Sequence, residues 1–264
     1  MGNKLVIPTI KLLWPSAYER RLIWAIGLAE FKLRNEGSYL GIFWYLLNPI
    51  LTFVVLVAVF STRLGQTIEH YPIYLLIGII VMNFFGQVTT TSAKALERHR
   101  ELIKTFYFPR RTLVSGIILA ALLAHIFEFI ILSTLALYWG LSFFNLLFYW
   151  PIFLLMVIFT WGISLGLCAL SVVAPDIENV WAFAFRLLWL GTPIFYAVHE
   201  SSRLYTANLT NPLFYFISSL RQIIIFSDWP DFNFLLAMGV FSVLAFLIGN
   251  LIFTLADKKL AELV

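Results

Sequence analysis

The sequence predicts an all-α integral membrane protein. It has six transmembrane helices, an N-terminal interfacial helix, a cytoplasmic helix between the second and third spans, and short external re-entrant helices before the last. Three observations predict this. The 264 residues are 61% hydrophobic and only 12% charged, with a mean hydropathy of +0.90, far above the apolar share of a soluble domain. The apolar residues gather into runs near the roughly 20 needed to cross a bilayer as a helix. The cations gather between those runs, in the pattern that orients membrane proteins.

The N-terminal helix opens on Ser16-Ala17-Tyr18-Glu19, a capping box in which hydroxyl and carboxylate satisfy each other's backbone N–H groups. Tyr18, Leu22, Ala25, Ile26, Ala29 and Leu33 then share one apolar face, and the helix ends near Gly37-Ser38. The six spans are Leu40–Thr62, Tyr71–Ala93, Thr112–Trp139, Leu147–Val173, Asn179–Val198 and Phe234–Ala256. Arg186 and Pro193 interrupt the fifth. Pro212–Phe226 is apolar but only fifteen residues long and includes Arg221, so it is expected to be re-entrant or interfacial. Three regions follow: a cytoplasmic N-terminus over 1–39, a transmembrane domain over 40–256 and a cytoplasmic tail over 257–264. The transmembrane domain includes a cytoplasmic loop at 94–111 and an external cap at 199–233.

Charge fixes the orientation. Fourteen Lys and Arg fall in the first 39 residues, in Lys94–Arg111 and in the tail, against three (Arg63, Arg203 and Arg221) in the intervening connections. Both termini are therefore expected in the cytoplasm, which an even number of crossings permits. The net charge of +4 comes from these loops and forms no separate basic stripe, so nucleic acid is not an expected partner.

Lys94–Arg111 carries six Lys or Arg and two Glu. It cannot enter hydrocarbon, where a central Lys or Arg costs about 2.5–3.5 kcal/mol. Leu96, Ile103 and Phe106 fall at spacings compatible with one helical face, with Glu97, Arg98, Arg100, Glu101 and Lys104 between them, and Pro109 stops the helix. A charged amphipathic helix between two spans is either an ordinary topogenic loop or a docking element for a soluble partner.

No catalytic constellation is present: the sequence has no HExxH, no GxSxG and no Cys–His cluster at ligand spacing, and Cys168 is the lone cysteine. No metal or cofactor is expected. The absence of GxxxxGK[ST] means this chain holds no P-loop, so ATP and its Mg would be bound by a partner subunit. His125 and Glu128, one helical turn apart in the third span, and Arg186 in the fifth are ionisable groups within apolar runs, which mark functional sites and usually pair. Glu128 either pairs with Arg186 or simply hydrogen-bonds with His125 inside a helix interface. Aromatics make up 17% of the chain. Phe43, Phe53, Phe185 and Trp189 of the first and fifth spans are the residues expected to line a path for sugars, whose C–H faces stack on aromatic rings; packing is the competing role for each.

Arg20–Ile50, with its Gly-Ser-x-Leu-Gly-x-x-Trp and Asn-Pro elements, resembles the opening of polysaccharide-export ABC transporter permeases. So do the Leu-Ile-Lys and Phe-Pro-Arg of the basic loop, Ala174–Trp181 before the fifth span, Gly191–Tyr196, and Asn211–Gln222. One departure is Pro175, where an Arg often precedes the Asp, which leaves the role of Asp176 open. The resemblance implies a homodimer working with two separate ATPase subunits to export a lipid-linked glycan: O-antigen, capsular polysaccharide or wall teichoic acid. It implies that ATP-driven motion enters at the 94–111 loop, making its helix a coupling helix. It places the cytoplasmic entrance for the lipid-linked pyrophosphate near Gly37 and Ser38, with Arg20, Arg21, Lys32 and Arg34 attracting the anion. Two rivals remain: a permease of a drug or small-molecule ABC exporter, and an ion-coupled secondary transporter using Glu128, His125 and Arg186.

Overall fold

The computed structural model describes residues 15–33, 37–64, 68–106, 108–174, 176–199 and 201–262, and among these every regular element is helical. Helix α1 (Ala17–Leu33) begins with the expected capping box: Glu19 N donates to Ser16 Oγ at 3.2 Å and Ser16 N to Glu19 Oε2 at 2.7 Å. A 3₁₀ turn over Gly41–Phe43 leads into α2 (Trp44–Leu64), which contains Pro49. Helix α3 (Tyr71–Ala93) is buried on almost every side and packs against helices throughout the bundle. Two short helices, α4 (Ala95–Arg98) and α5 (Arg100–Thr105), form the basic loop. Then follow α6 (Arg111–Tyr138), the single turn α7 (Phe143–Leu147), α8 (Tyr149–Val173) and α9 (Ile177–Gly191). Two short helices, α10 (Arg203–Asn208) and α11 (Pro212–Phe226), precede α12 (Phe232–Glu262).

Four stretches are long and apolar enough to cross a membrane: Tyr71–Ala93, Arg111–Tyr138, Phe143–Val173 and Phe232–Asp257. They match the expected second, third, fourth and sixth spans. The other two fall short. The apolar part of α2 runs only over Leu47–Ser61. Helix α9 has 15 residues, about 22 Å at 1.5 Å per residue, against a hydrocarbon thickness of about 30 Å.

The reason α9 stops is local. Pro193 has no N–H to continue the ladder, and the chain leaves the helix at Thr192. A non-helical stretch inside an apolar bundle must have its backbone groups satisfied by protein, and here side chains from α3 and α11 do so. Arg221 of α11 donates to Pro193 O at 2.7 Å, Ile194 O at 2.6 Å and Tyr74 O at 3.1 Å. Tyr71 Oη donates to Phe195 O at 3.1 Å, and Tyr74 Oη to Tyr196 O at 3.0 Å. Asn211 Nδ2 reaches Thr192 Oγ1 at 2.8 Å. Arg221 is 4% exposed, and its guanidinium carbon lies 3.3 Å from the centre of the Tyr74 ring. The residue counted from sequence as a loop cation is thus a buried clamp.

Helix α1 packs lengthwise on α6, with Leu22 and Ile26 of its apolar stripe turned to the core. Tyr18 and Leu33, expected on the packed face, are exposed, while Gly27 and Glu30 are buried. The approach depends on glycine. A Cβ on Gly116 of α6 would meet the Ile26 side chain at 2.5 Å, and one on Gly27 would meet Leu119 at 2.7 Å.

A tighter crossing joins α8 to α12. Cβ atoms added at Gly162 or Gly249 would fall within the other helix's backbone, at Ala245 and at the Gly162 carbonyl respectively. Gly162 and Gly166 are spaced as in the small-residue motifs that bring membrane helices into close contact. Gly162→Ala or Gly249→Ala is expected to cost about 1–3 kcal/mol by overpacking, seen as a lower melting temperature of the detergent-solubilised protein. Gly239→Ala on the same α12, where an added Cβ meets nothing within 4 Å, is the control and should melt like the parent. Equal melting of all three variants would remove this crossing from the account.

Candidate functional site

A cavity of about 320 Å³ opens between the two short helices, α2 and α9, and the long helices α3 and α6. Its lining is unusually polar for an apolar bundle. Helix α2 supplies Asn48 and Thr52, and α3 supplies Asn83, Gln87 and Thr90. The α3 residues lie four and three apart, hence on one helical face. Gly86 lies on the same wall: it has no Cβ, and the Phe185 ring of α9 takes up the space a side chain would need. Trp44 and Trp189 supply the remaining aromatic surface.

Glu128 of α6 faces this cavity and is 9% exposed. Its Oε2 lies 3.0 Å from His125 Nδ1, and His125 Nε2 lies 2.6 Å from Tyr149 Oη. An ionised carboxylate only accepts, so Nδ1 donates to Glu128; the Tyr149 hydroxyl can donate or accept, and it donates where Nε2 carries no hydrogen. The Phe153 ring stacks on His125 with centroids 3.9 Å apart and planes 5° apart. On the cavity side, Asn83 Nδ2 approaches Glu128 Oε1 at 3.5 Å, the outer limit of a hydrogen bond. Arg186 is exposed on α9 and, among the described residues, forms no ion pair. Of the two arrangements open from sequence, the His125–Glu128 hydrogen bond is the one present.

The basic loop reaches the same region from one end of the bundle. It is two helices rather than one, broken at His99. Leu96 is buried and Ile103 is half-buried against the core, while Phe106 is 64% exposed and does not share their face. Glu97, Arg100, Glu101 and Lys104 point outward, with Lys104 3.9 Å from Glu101. Arg98 turns inward to Glu30 of α1, its Nη1 3.0 Å from Oε2, and His99 Nε2 lies 3.0 Å from Glu30 Oε1. The other imidazole nitrogen, Nδ1, faces Ala95 O at 2.9 Å. Both ring nitrogens meet groups that only accept, which favours the doubly protonated ring. The hydrogen bond to Glu30 accordingly raises the His99 pKa, and the same bond, aided by Arg98, holds the Glu30 carboxyl below its usual range.

The loop is gripped elsewhere too. Lys94 pairs with Glu178 in the first turn of α9, the helix that carries Phe185 and Trp189. Arg110 pairs with Asp257 of α12 at 3.0 Å. A smaller cavity of about 180 Å³ beside Glu30 and Arg98 is lined by Gln87 and Thr90, which also line the larger one. A polar track therefore runs along one face of α3, from the loop to Glu128.

Of the aromatic residues singled out from sequence, Phe185 and Trp189 line the cavity. Phe53 is half-buried against the core, and Phe43 is 70% exposed in the turn before α2. Arg20, Arg21 and Lys32 are exposed on α1; Arg34 lies outside the described residues. Gly37 has φ +79°, and Ser38 Oγ accepts from Trp44 Nε1 at 2.7 Å, so this turn adjoins the cavity wall. Sequence reasoning missed Glu30, Asn48, Asn83, Gln87 and Thr90. The available signal was the i, i+4, i+7 polar row of Asn83, Gln87 and Thr90 in an otherwise apolar span.

The sequence is similar over nearly its whole length to transporter subunits. It is 24% identical over 248 residues to the O-antigen export system permease protein RfbA of Myxococcus xanthus, covering 92% of this chain and 95% of that protein. The RfbA permease of Klebsiella pneumoniae is 23% identical over 266 residues, covering 97% and 99%. The polysialic acid transport protein KpsM of Escherichia coli is 22% identical over 246 residues, covering 89% and 93%. Residues 21–225 match the ABC-2 type transporter family model, a stretch that holds both the polar cavity and the loop that grips it, and the chain belongs to that family.

Proposed function

We propose that the chain is the membrane subunit of an ATP-driven exporter that moves a lipid-linked polysaccharide or related polymer across the cytoplasmic membrane. Two copies work with two separate ATPase subunits, which hold the ATP and Mg. The carrying observation is the basic loop, which turns Glu97, Arg100, Glu101 and Lys104 outward while its other residues grip α1 through Glu30 and α9 through Glu178. A push on its outer face reaches the cavity through rigid links: Lys94 carries it to α9 and hence to Phe185 and Trp189. Names of relatives support a polysaccharide over a drug or small molecule. The same relatives favour this reading over an ion-coupled transporter using Glu128, His125 and Arg186, and Arg186 is exposed and does not line the cavity.

In this reading α2 and α9 are the first and fifth of six crossings, and both termini are cytoplasmic. The exposed apolar rows Leu51, Val55 and Val59 of α2 and Val180, Phe183, Leu187 and Leu190 of α9 face the second copy, so that two cavities meet in one conduit. Helices α10 and α11 form an external, re-entrant cap. Arg20, Arg21 and Lys32 draw the lipid pyrophosphate toward the Gly37-Ser38 turn beside Trp44.

The test is co-expression with candidate ATPase subunits from the same genome. Glu97→Lys and Glu101→Lys, both on the exposed face of the loop, should abolish co-purification and polymer export while the protein still inserts and melts normally. Full coupling in these variants would overturn the docking assignment.

A further inference from the structure

Burying a carboxylate in an apolar bundle is costly unless it is paired or fully hydrogen-bonded. Glu128 is only partly so. One oxygen is held by His125, while the other has Asn83 at 3.5 Å and faces the cavity. The arrangement behind it is rigid: Tyr149, 1% exposed, fixes His125, and His125 lies flat against Phe153. The protein thus fixes a hydrogen-bond acceptor and aims its free lone pairs into a space. Asn48, Gln87, Thr52 and Thr90 from two other helices converge on that space. None of these four is needed to satisfy Glu128.

We propose that Glu128, held by His125 and Tyr149, is a saccharide subsite that accepts hydrogen bonds from the hydroxyls of one uncharged pyranose unit of the passing polymer; this rests on the exporter reading above. Three features select that ligand. A carboxylate flanked by carboxamides matches neighbouring hydroxyls, which need an acceptor on one side and a group that both donates and accepts on the other. Trp44, Phe185 and Trp189 offer apolar faces to the C–H side of the ring. The volume, about 320 Å³, lies at the lower end for ligand sites and suits a single unit held briefly rather than a chain held along its length.

Charge sets the specificity. Glu128 is the one charged side chain among the described residues that line this cavity. A uronate carboxylate or a lipid phosphate brought against it would meet repulsion in a low-dielectric setting. The subsite therefore takes neutral or N-acetylated units. The phosphate end of a lipid-linked substrate is excluded from it and must travel along another face.

The experiment compares wild type, Glu128→Gln, Glu128→Asp and Tyr149→Phe in complex with the ATPase subunits. Surface polymer per cell is measured beside ATP hydrolysis and the melting temperature of the purified complex. Glu128→Gln keeps the shape and swaps one acceptor oxygen for a donor, so export should fall about tenfold, the loss expected for one charge-assisted hydrogen bond. ATP hydrolysis should stay within about twofold and melting unchanged. Glu128→Asp should restore part of the loss, and Tyr149→Phe, which frees His125, should give a smaller decrease. Unchanged export by Glu128→Gln, or losses that only track melting, would overturn the subsite. Export that collapses when the proton gradient is dissipated at constant ATP would overturn it in favour of a proton relay through Tyr149, His125 and Glu128. If wild type itself exports no polymer, the exporter reading fails and the subsite with it; normal wild-type export with an indifferent Glu128→Gln variant sinks the subsite alone.

Discussion

Arg221→Met is expected to remove most of the stably folded protein. The side chain satisfies three backbone carbonyls at once, those of Tyr74, Pro193 and Ile194. An unsatisfied buried acceptor costs about 1–3 kcal/mol, and Met supplies no donor. Tyr74 O lies within α3 and keeps its place in the helical ladder. Pro193 O and Ile194 O lose their donor, and those two losses, though not fully additive, amount to a large fraction of a typical stability of about 5–15 kcal/mol. The segment released, residues 192–196, joins α9 to the short helices, so the damage spreads beyond one contact. Arg221→Lys should recover only part, because a single ammonium cannot reproduce the planar fork that reaches carbonyls on two separate segments. The check is the fraction of monodisperse protein after detergent extraction, with its melting temperature. Arg203→Met, at an exposed cation on α10, should behave like the parent. A monodisperse, normally melting Arg221→Met protein would show that Tyr71, Tyr74 and Asn211 suffice to hold the unwound segment.

What could be read from sequence divides along a physical line. Helices α3, α6, α8 and α12 were legible because each is a long apolar run whose length alone matches the bilayer. The capping box was legible because both partners lie within four residues. Contacts between distant segments were not. Arg221 and Tyr74 are 147 residues apart, so Arg221 read as a loop cation, and Pro193 as an interruption rather than the start of an unwound stretch. Glu30 fell among the polar positions of an amphipathic helix, where acidic residues are usually solvated; only the fold brings Arg98, 68 residues away, to meet it. The cavity suffers the same fate, since its walls come from four helices. His125 and Glu128 were found because their spacing of three is a local property.

Glu30→Gln is expected to uncouple ATP hydrolysis from export, lowering polymer exported per ATP by about tenfold, on the assumption that α1 must move with the basic loop. Glu30 accepts from Arg98 and His99, both at 3.0 Å. Hydrogen bonds to charged groups contribute about 1.5–3 kcal/mol each, though Arg98 is 46% exposed, and solvent screening reduces its share toward that of a surface pair. His99, 17% exposed, therefore carries most of the link, and its protonation makes the link pH-dependent. The His99 pKa is raised, so its contribution is complete below the ordinary histidine value of about 6.5 and is lost as pH climbs through the folded value above it. The Glu30 pKa is lowered, so its contribution is complete above its ordinary value of 4.5 and is lost only as pH falls through the folded value beneath it. The link is strongest between those limits, and export per ATP in membrane vesicles should decline as the pH facing the loop is raised. His99→Asn keeps a neutral donor without a titrating proton and should show reduced coupling that no longer responds to pH over the same range. Glu30→Gln should be flat as well, and lower. A Glu30→Gln protein that couples fully, or a His99→Asn protein that keeps the parent's alkaline decline, would mean that α1 is a passive support and that the push travels through the Lys94–Glu178 and Arg110–Asp257 pairs instead.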